Sequence, residues 1–112
     1  MPNVPVGLPI TVLDSTSITV SWKAPRTNLE DIRHFKLSWE PLQTTSEGGG
    51  SHNILADPQE PDQIYTATIS DLTPRTSYRV SVAAVSLRGI GRPYEYPVVT
   101  TWVDGKLFSH CF

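Results

Sequence analysis

Leu72-Thr73-Pro74-Arg75-Thr76-Ser77-Tyr78-Arg79-Val80-Ser81-Val82-Ala83-Ala84-Val85 is the stretch whose reading decides the fold. From Tyr78 the side chains alternate, with Tyr78, Val80, Val82 and Ala84 on one side and Arg79 and Ser81 on the other. Successive strand side chains point to opposite faces, so the run is a strand with one face in a core. The Leu-x-Pro-x-Thr-x-Tyr approach is similar to a tyrosine corner, in which a tyrosine hydroxyl bonds back to the backbone of the preceding loop of a β-sandwich. The stretch sets a scaffold and carries no chemistry.

Working outward, the same period recurs. Ser17 to Lys23 places Ile18, Val20 and Trp22 on one face, and Arg33 to Glu40 turns Phe35, Leu37 and Trp39 inward and His34, Lys36 and Ser38 outward. Tyr65, Ala67 and Ile69 share a face, His52 to Ala56 is a short strand around Ile54, and a last strand runs from about Tyr96 to Thr101. A first edge strand from about Leu8 to Leu13 is interrupted by Pro9, which an edge tolerates. Leu72 plugs the corner before the long strand Ser77 to Ser86. Between these runs lie turn-formers: Asp14-Ser15-Thr16, Pro25 to Asp31, Pro41 to Ser51 with Gly48-Gly49-Gly50, Asp57 to Asp62, and Gly89 to Pro93. The glycine triplet reads as a flexible loop. About seven strands with turns every 8–12 residues predict an all-β, seven-stranded antiparallel β-sandwich.

A chain of 112 residues fits one domain and buries a core without metal or disulfides. Its single cysteine, Cys111, excludes an intrachain disulfide. A net charge of −2 excludes the basic character of a nucleic-acid binder. No run reaches the roughly 20 apolar residues of a membrane span. Asn3, Asn28 and Asn53 all lack the hydroxyl residue of a glycosylation sequon. Met1 to Pro5 has no signal-peptide pattern, and Met1 reads as the start of an excised piece. The expected organisation is a linker at 1–4, a domain at 5–101, and a tail or linker stub at 102–112, where the alternation stops.

With the strands placed, the chain resembles a fibronectin type III domain, an immunoglobulin-like sandwich. The residues that carry the likeness are Pro5 and Pro9, Ser17 through Pro25 around Trp22, Phe35-Lys36-Leu37-Ser38-Trp39, Tyr65 through Ile69, Leu72 through Ala84, Gly89-Ile90-Gly91 and Val98-Val99-Thr100-Thr101. Trp39 stands where the family more often has tyrosine, and the loop around Gly48 to Gly50 is longer than usual. The resemblance implies one sheet carrying the strands of Ile10, Val20 and Ala67 and another carrying those of Leu37, Ile54, Val82 and Val99. The expected core is Trp22, Leu37, Trp39, Leu72, Tyr78, Val80 and Val82. The resemblance also implies no catalysis and no cofactor.

No constellation of residues contradicts that. His34, His52 and His110 fall on different segments, whereas zinc needs about four converging ligands, so no metal site is expected. No serine sits in a Gly-x-Ser-x-Gly elbow. Gly89-Ile90-Gly91 lacks the third glycine and the helix of a phosphate cradle.

Two surfaces are candidates for protein binding. The first is a loop pole where Arg26, Arg88 and Arg92 would gather with Glu60 and Asp62, since arginine at loop tips anchors carboxylates and phosphates. Arg88-Gly89-Ile90 occupies the place of one family member's integrin-binding Arg-Gly-Asp and lacks its aspartate. The second is an outer sheet face with Lys36, Arg79, Ala83 and Val85, where Lys36 and Arg79 are expected opposite each other. The functional expectation is a non-catalytic spacer or protein-interaction module in the extracellular part of a cell-surface receptor or adhesion protein. The alternatives are an intracellular module of a cytoskeletal or muscle-type array and an accessory domain of an enzyme. The expected partners are unidentified proteins and neighbouring domains of the same chain, with no nucleic acid and no membrane insertion of this piece; the isolated domain is expected to be monomeric.

Overall fold

Alternating β-branched and aromatic residues give half-buried strands, and each strand needs a second sheet to cover its apolar face. The computed structural model describes residues 4–25, 32–42, 49–56 and 63–102. Its strands are β1 (Val6–Gly7), β2 (Thr11–Val12), β3 (Ile18–Lys23), β4 (Ile32–Pro41), β5 (Gly50–Leu55), β6 (Ile64–Ile69), β7 (Ser77–Ser86), β8 (Gly89–Ile90), β9 (Tyr94–Glu95) and β10 (Val99–Thr100). One sheet has β3 at its centre, with β1 and β2 on one edge and β6 on the other. The second runs β5-β4-β7, and β8, β9 and β10 pair in turn with the far edge of β7. All pairings are antiparallel. Counting β1–β2 and β8–β9–β10 as one interrupted strand each gives seven strands among the described residues.

Prolines decide where those interruptions fall. Proline cannot donate to a ladder, so Pro9 separates β1 from β2, and Pro93 and Pro97 separate the pieces of the last strand. Of the final strand expected at Tyr96 to Thr101, only Val99–Thr100 forms as β10; β9 lies just before the expected run, on the other side of Pro97. Gly89–Ile90, expected as loop, is paired with Val85 and Ser86. Gly50 and Ser51, expected in a flexible loop, lie in β5 opposite Trp39 and Ser38. The other strands match the expected runs to within one or two residues.

The core forms where the two sheets face each other. Ile18, Val20 and Trp22 of β3 and Tyr65 and Ile69 of β6 meet Phe35 and Leu37 of β4 and Tyr78, Val80, Val82 and Ala84 of β7. Trp22 stacks on Tyr65 at 6.1 Å between centroids and meets Phe35 edge-on at 5.7 Å. Trp39 is a correction: it is only partly buried, at the rim of this cluster, with its ring over Gly50 and 5.0 Å from that of His52.

The corner is built as its sequence implies. The Thr73 amide donates to the Tyr78 hydroxyl at 2.8 Å. Leu72 is buried, and its amide donates to the Thr16 carbonyl, tying the corner to the opposite sheet. Asp71 and Arg75 adopt left-handed backbone, φ 62° and 54°, which the tight reversal demands. Thr101 closes the same pole: its hydroxyl donates to the Thr73 carbonyl at 2.7 Å and accepts from the Thr76 amide at 3.0 Å.

Candidate functional site

The loop pole is formed at the β7–β8 hairpin. Ser86 pairs with Gly89, leaving Leu87 and Arg88 as a two-residue turn. Gly89 has φ 128°, a backbone conformation that favours glycine. The Ser86 hydroxyl accepts from the Arg88 amide at 3.1 Å, and the Gly91 amide donates to the Ala84 carbonyl at 2.9 Å. The turn and the residues after β8 present Leu87, Arg88 and Arg92 to solvent. Arg26, Glu60 and Asp62, the other expected members of this pole, lie outside the described residues.

The outer face of β4, β5 and β7 departs from its expected layout. Lys36 lies between Ala83 and Asn53, whereas Arg79 lies opposite Glu40. Four residues along β7 separate the two cations, about 13 Å at strand rise. A groove of about 420 Å³ occupies the Arg79 end, lined by Ser38, Glu40, Arg79, Ser81, Glu95 and Val98 among others. Its two carboxylates and one guanidinium make it net acidic, not basic. Ala83 faces outward yet is buried, and Val85 is half-buried.

Sequence reasoning missed a cross-strand row on that face: Leu55, His34, Val85 and Ile90 stand side by side on β5, β4, β7 and β8. It was hidden because Ile90 joins it only through the hairpin at Leu87-Arg88. Glu40 and Glu95 were missed because their nearness to Arg79 is a matter of register.

The two sheets are latched near β1 and β9. The Tyr96 hydroxyl donates to the Ser21 carbonyl at 2.7 Å, an oxygen that also accepts from the Leu8 amide at 3.0 Å. Burial, and secondarily the neighbouring Tyr94, push the Tyr96 phenol well above its ordinary value. At the opposite pole, the Asp14 carboxylate accepts from the Thr16 amide at 2.8 Å, and that bond holds its pKa below the usual carboxylate value. Among the described residues no three His, Cys, Asp or Glu side chains come together as a metal site, and no helix is long and apolar enough to cross a membrane.

The structure has two stacked antiparallel sheets, a buried tryptophan in β3 and a tyrosine corner into β7, and the sequence matches the model of the fibronectin type III domain over residues 3–101. The chain belongs to the fibronectin type III family. The family domain is a non-catalytic module.

Among its relatives, receptor-type tyrosine-protein phosphatase F of Mus musculus is 36% identical over 108 residues, covering 88% of this chain and 5% of the phosphatase. Pikachurin of Rattus norvegicus is 33% identical over 90 residues, covering 79% of this chain and 9% of that protein. The chain thus matches only a small part of each relative's length. The crystal structure of the FN5 domain of Drosophila Lar superposes with a TM-score of 0.69 at 27% identity, covering 91% of this chain and 98% of that one. The chain is therefore similar to short stretches of much longer proteins, receptor-type phosphatases among them.

Proposed function

We propose that this fibronectin type III domain is a spacer and protein-contact module in the extracellular part of a multidomain cell-surface receptor or adhesion protein. The observation that carries the reading is the path of the chain. β1 pairs with the end of β3 at Lys23, whereas β10 pairs with the start of β7 at Ser77. These are opposite poles: Leu72 bonds Thr16, just before β3, and precedes β7. The chain enters at one pole and leaves at the other, and the ten residues of β7 between them span about 33 Å. A rigid body traversed end to end sets a fixed distance between whatever flanks it. In a parent like the receptor-type phosphatases, catalysis lies in other domains.

Arg88 and Arg92, with Arg26, are the proposed contact residues at the entry pole. Lys36, Arg79 and Val85 are the proposed contacts of the outer face. The test has two arms. Antibodies against this domain should stain intact cells expressing the full-length gene product; staining only after permeabilisation overturns the extracellular reading. Purified domain clustered on a multivalent support should bind the surface of such cells, and an Arg26/Arg88/Arg92→Glu variant should not. Equal binding by both removes the arginine pole as a contact site.

A further inference from the structure

The four sheet edges of this sandwich are not treated alike. The β1–β2 edge is broken at Pro9. The β8–β9–β10 edge carries Pro93 and Pro97 and two bulges. Six residues from Ile90 to Glu95 oppose five from Val85 to Ser81, and five from Glu95 to Val99 oppose four from Ser81 to Tyr78. Prolines and bulges are how sheets keep other strands from adding to their edges. The β5 and β6 edges have neither, but the inward Tyr65 and Ile69 of β6 are buried in the core, whereas β5 has no buried residue. Gly50-Ser51-His52-Asn53-Ile54-Leu55 contains no proline and no Lys, Arg, Asp or Glu, and its register with β4 runs unbroken from His34–Leu55 to Trp39–Gly50.

Backbone parity shows what that edge offers. The Ala56 amide donates to the Arg33 carbonyl at 3.2 Å, so residues of the same parity, Ile54, His52 and Gly50, turn their amides and carbonyls toward β4. Ser51, Asn53 and Leu55 turn theirs away, and among the described residues no strand pairs with that side. Burial points the same way. Gly50 and His52 face inward with Leu37 and Trp39 yet are exposed, and only Ile54 of the six is partly buried. The strand projects past the core it should cover, with the Trp39–His52 ring pair beneath its rim.

We infer that β5 is a self-association edge that takes β5 of a second copy of this chain, antiparallel across a two-fold axis. A symmetric pair brings each residue near the axis against itself, where a charge would meet its like. An uncharged strand meets that requirement. The pairing that uses all three outward residues sets Asn53 against Asn53 of the second copy and Ser51 against Leu55. In the same register His52 meets Ile54 on the inner face and the Trp39–His52 shelf is covered. Single-strand pairing buries little surface, so the dimer is weak, and the monomer expected in dilute solution is its dissociated state. The inference rests on the fold alone, not on an extracellular location.

Sedimentation equilibrium of the full chain in reductant, from micromolar to millimolar, tests it. The expected result is a reversible monomer–dimer equilibrium. Asn53→Pro removes only an outward amide, and Asn53→Glu puts like charges at the axis while leaving Lys36 as its neighbour within the fold. Each should weaken the dimer at least about ten-fold, with the thermal midpoint of the monomer checked alongside. Thr68→Glu, on the β6 edge, should leave it unchanged. A chain monomeric throughout, a dimer indifferent to both Asn53 variants, or one dissolved by Thr68→Glu overturns the assignment. Should both Asn53 variants fail to fold, Asn53→Cys in a Cys111→Ser background decides: a short bismaleimide should cross-link it into a dimer, and failure to do so overturns the pairing.

Discussion

The ring of Tyr94 occupies the space that a Cβ on Gly7 would need. An ideal Cβ there would fall 2.6 Å from Cζ and nearer still to the ring edge. Gly7 is in β1 and Tyr94 in β9, so this contact fixes how closely the edges of the two sheets approach. The Tyr94 ring is also held edge-on against Tyr96 at 4.8 Å. Gly7→Ala should therefore destabilise the domain by about 1–3 kcal/mol, the range for overpacking. In a Tyr94→Ala background the same substitution should cost almost nothing. Chemical denaturation of the four proteins in that cycle measures the coupling, and simple additivity would disprove the clash.

Trp22 is fully buried, and among the described residues its indole nitrogen has no hydrogen-bond partner. Its contribution is packing against Tyr65 and Phe35. Trp22→Ala should cost roughly 3–5 kcal/mol. Trp22→Phe should cost clearly less, because no hydrogen bond is lost with the indole. Equal losses in urea unfolding would point to a bond at the nitrogen.

Tyr78 is buried, and its hydroxyl accepts from the amide of Thr73, a residue at the surface. Tyr78→Phe should lose about 1 kcal/mol, because water can replace the phenol at the Thr73 amide. Amide exchange at Thr73 should quicken in the variant; unchanged protection there would argue against the corner bond.

Tyr96 links stability to alkaline pH. Its folded pKa is raised, so the folded state keeps a proton that the unfolded chain releases near pH 10. Its contribution is fully present below that pH and is lost as the pH rises above it. Thermal unfolding of the wild type should weaken progressively above about pH 10. Tyr96→Phe should start about 1 kcal/mol lower at neutral pH and lose part of that alkaline slope. Identical slopes in the two proteins would remove Tyr96 as the source.

Asp14 acts at the other end of the pH scale. Its folded pKa is lowered, so its contribution is present above the unfolded value of about 3.9 and fades as pH falls through the folded one. Asp14→Asn should flatten the stability profile below about pH 4 and leave its neutral-to-alkaline arm unchanged. A carboxyl titration of Asp14 by NMR at the ordinary value would contradict the bond to Thr16.

The amino-acid sequence by itself determined the strand faces, because period-two burial is a local property. Tyr78, Val80 and Val82 on one side and Arg79 on the other needed only alternation. The tyrosine corner was legible for the same reason, its parts lying within seven residues. Tertiary structure alone decided what depends on register between distant strands. That Arg79 faces Glu40 rather than Lys36 follows from how β4 and β7 align, and a one-residue slip would have changed every partner. The row from Leu55 to Ile90 needs four strands in alignment. The contact of Tyr94 with Gly7 and the bond from Tyr96 to Ser21 join the two sheets across 87 and 75 residues. No local pattern encodes such pairs, because they exist only once the sheets have closed on one another.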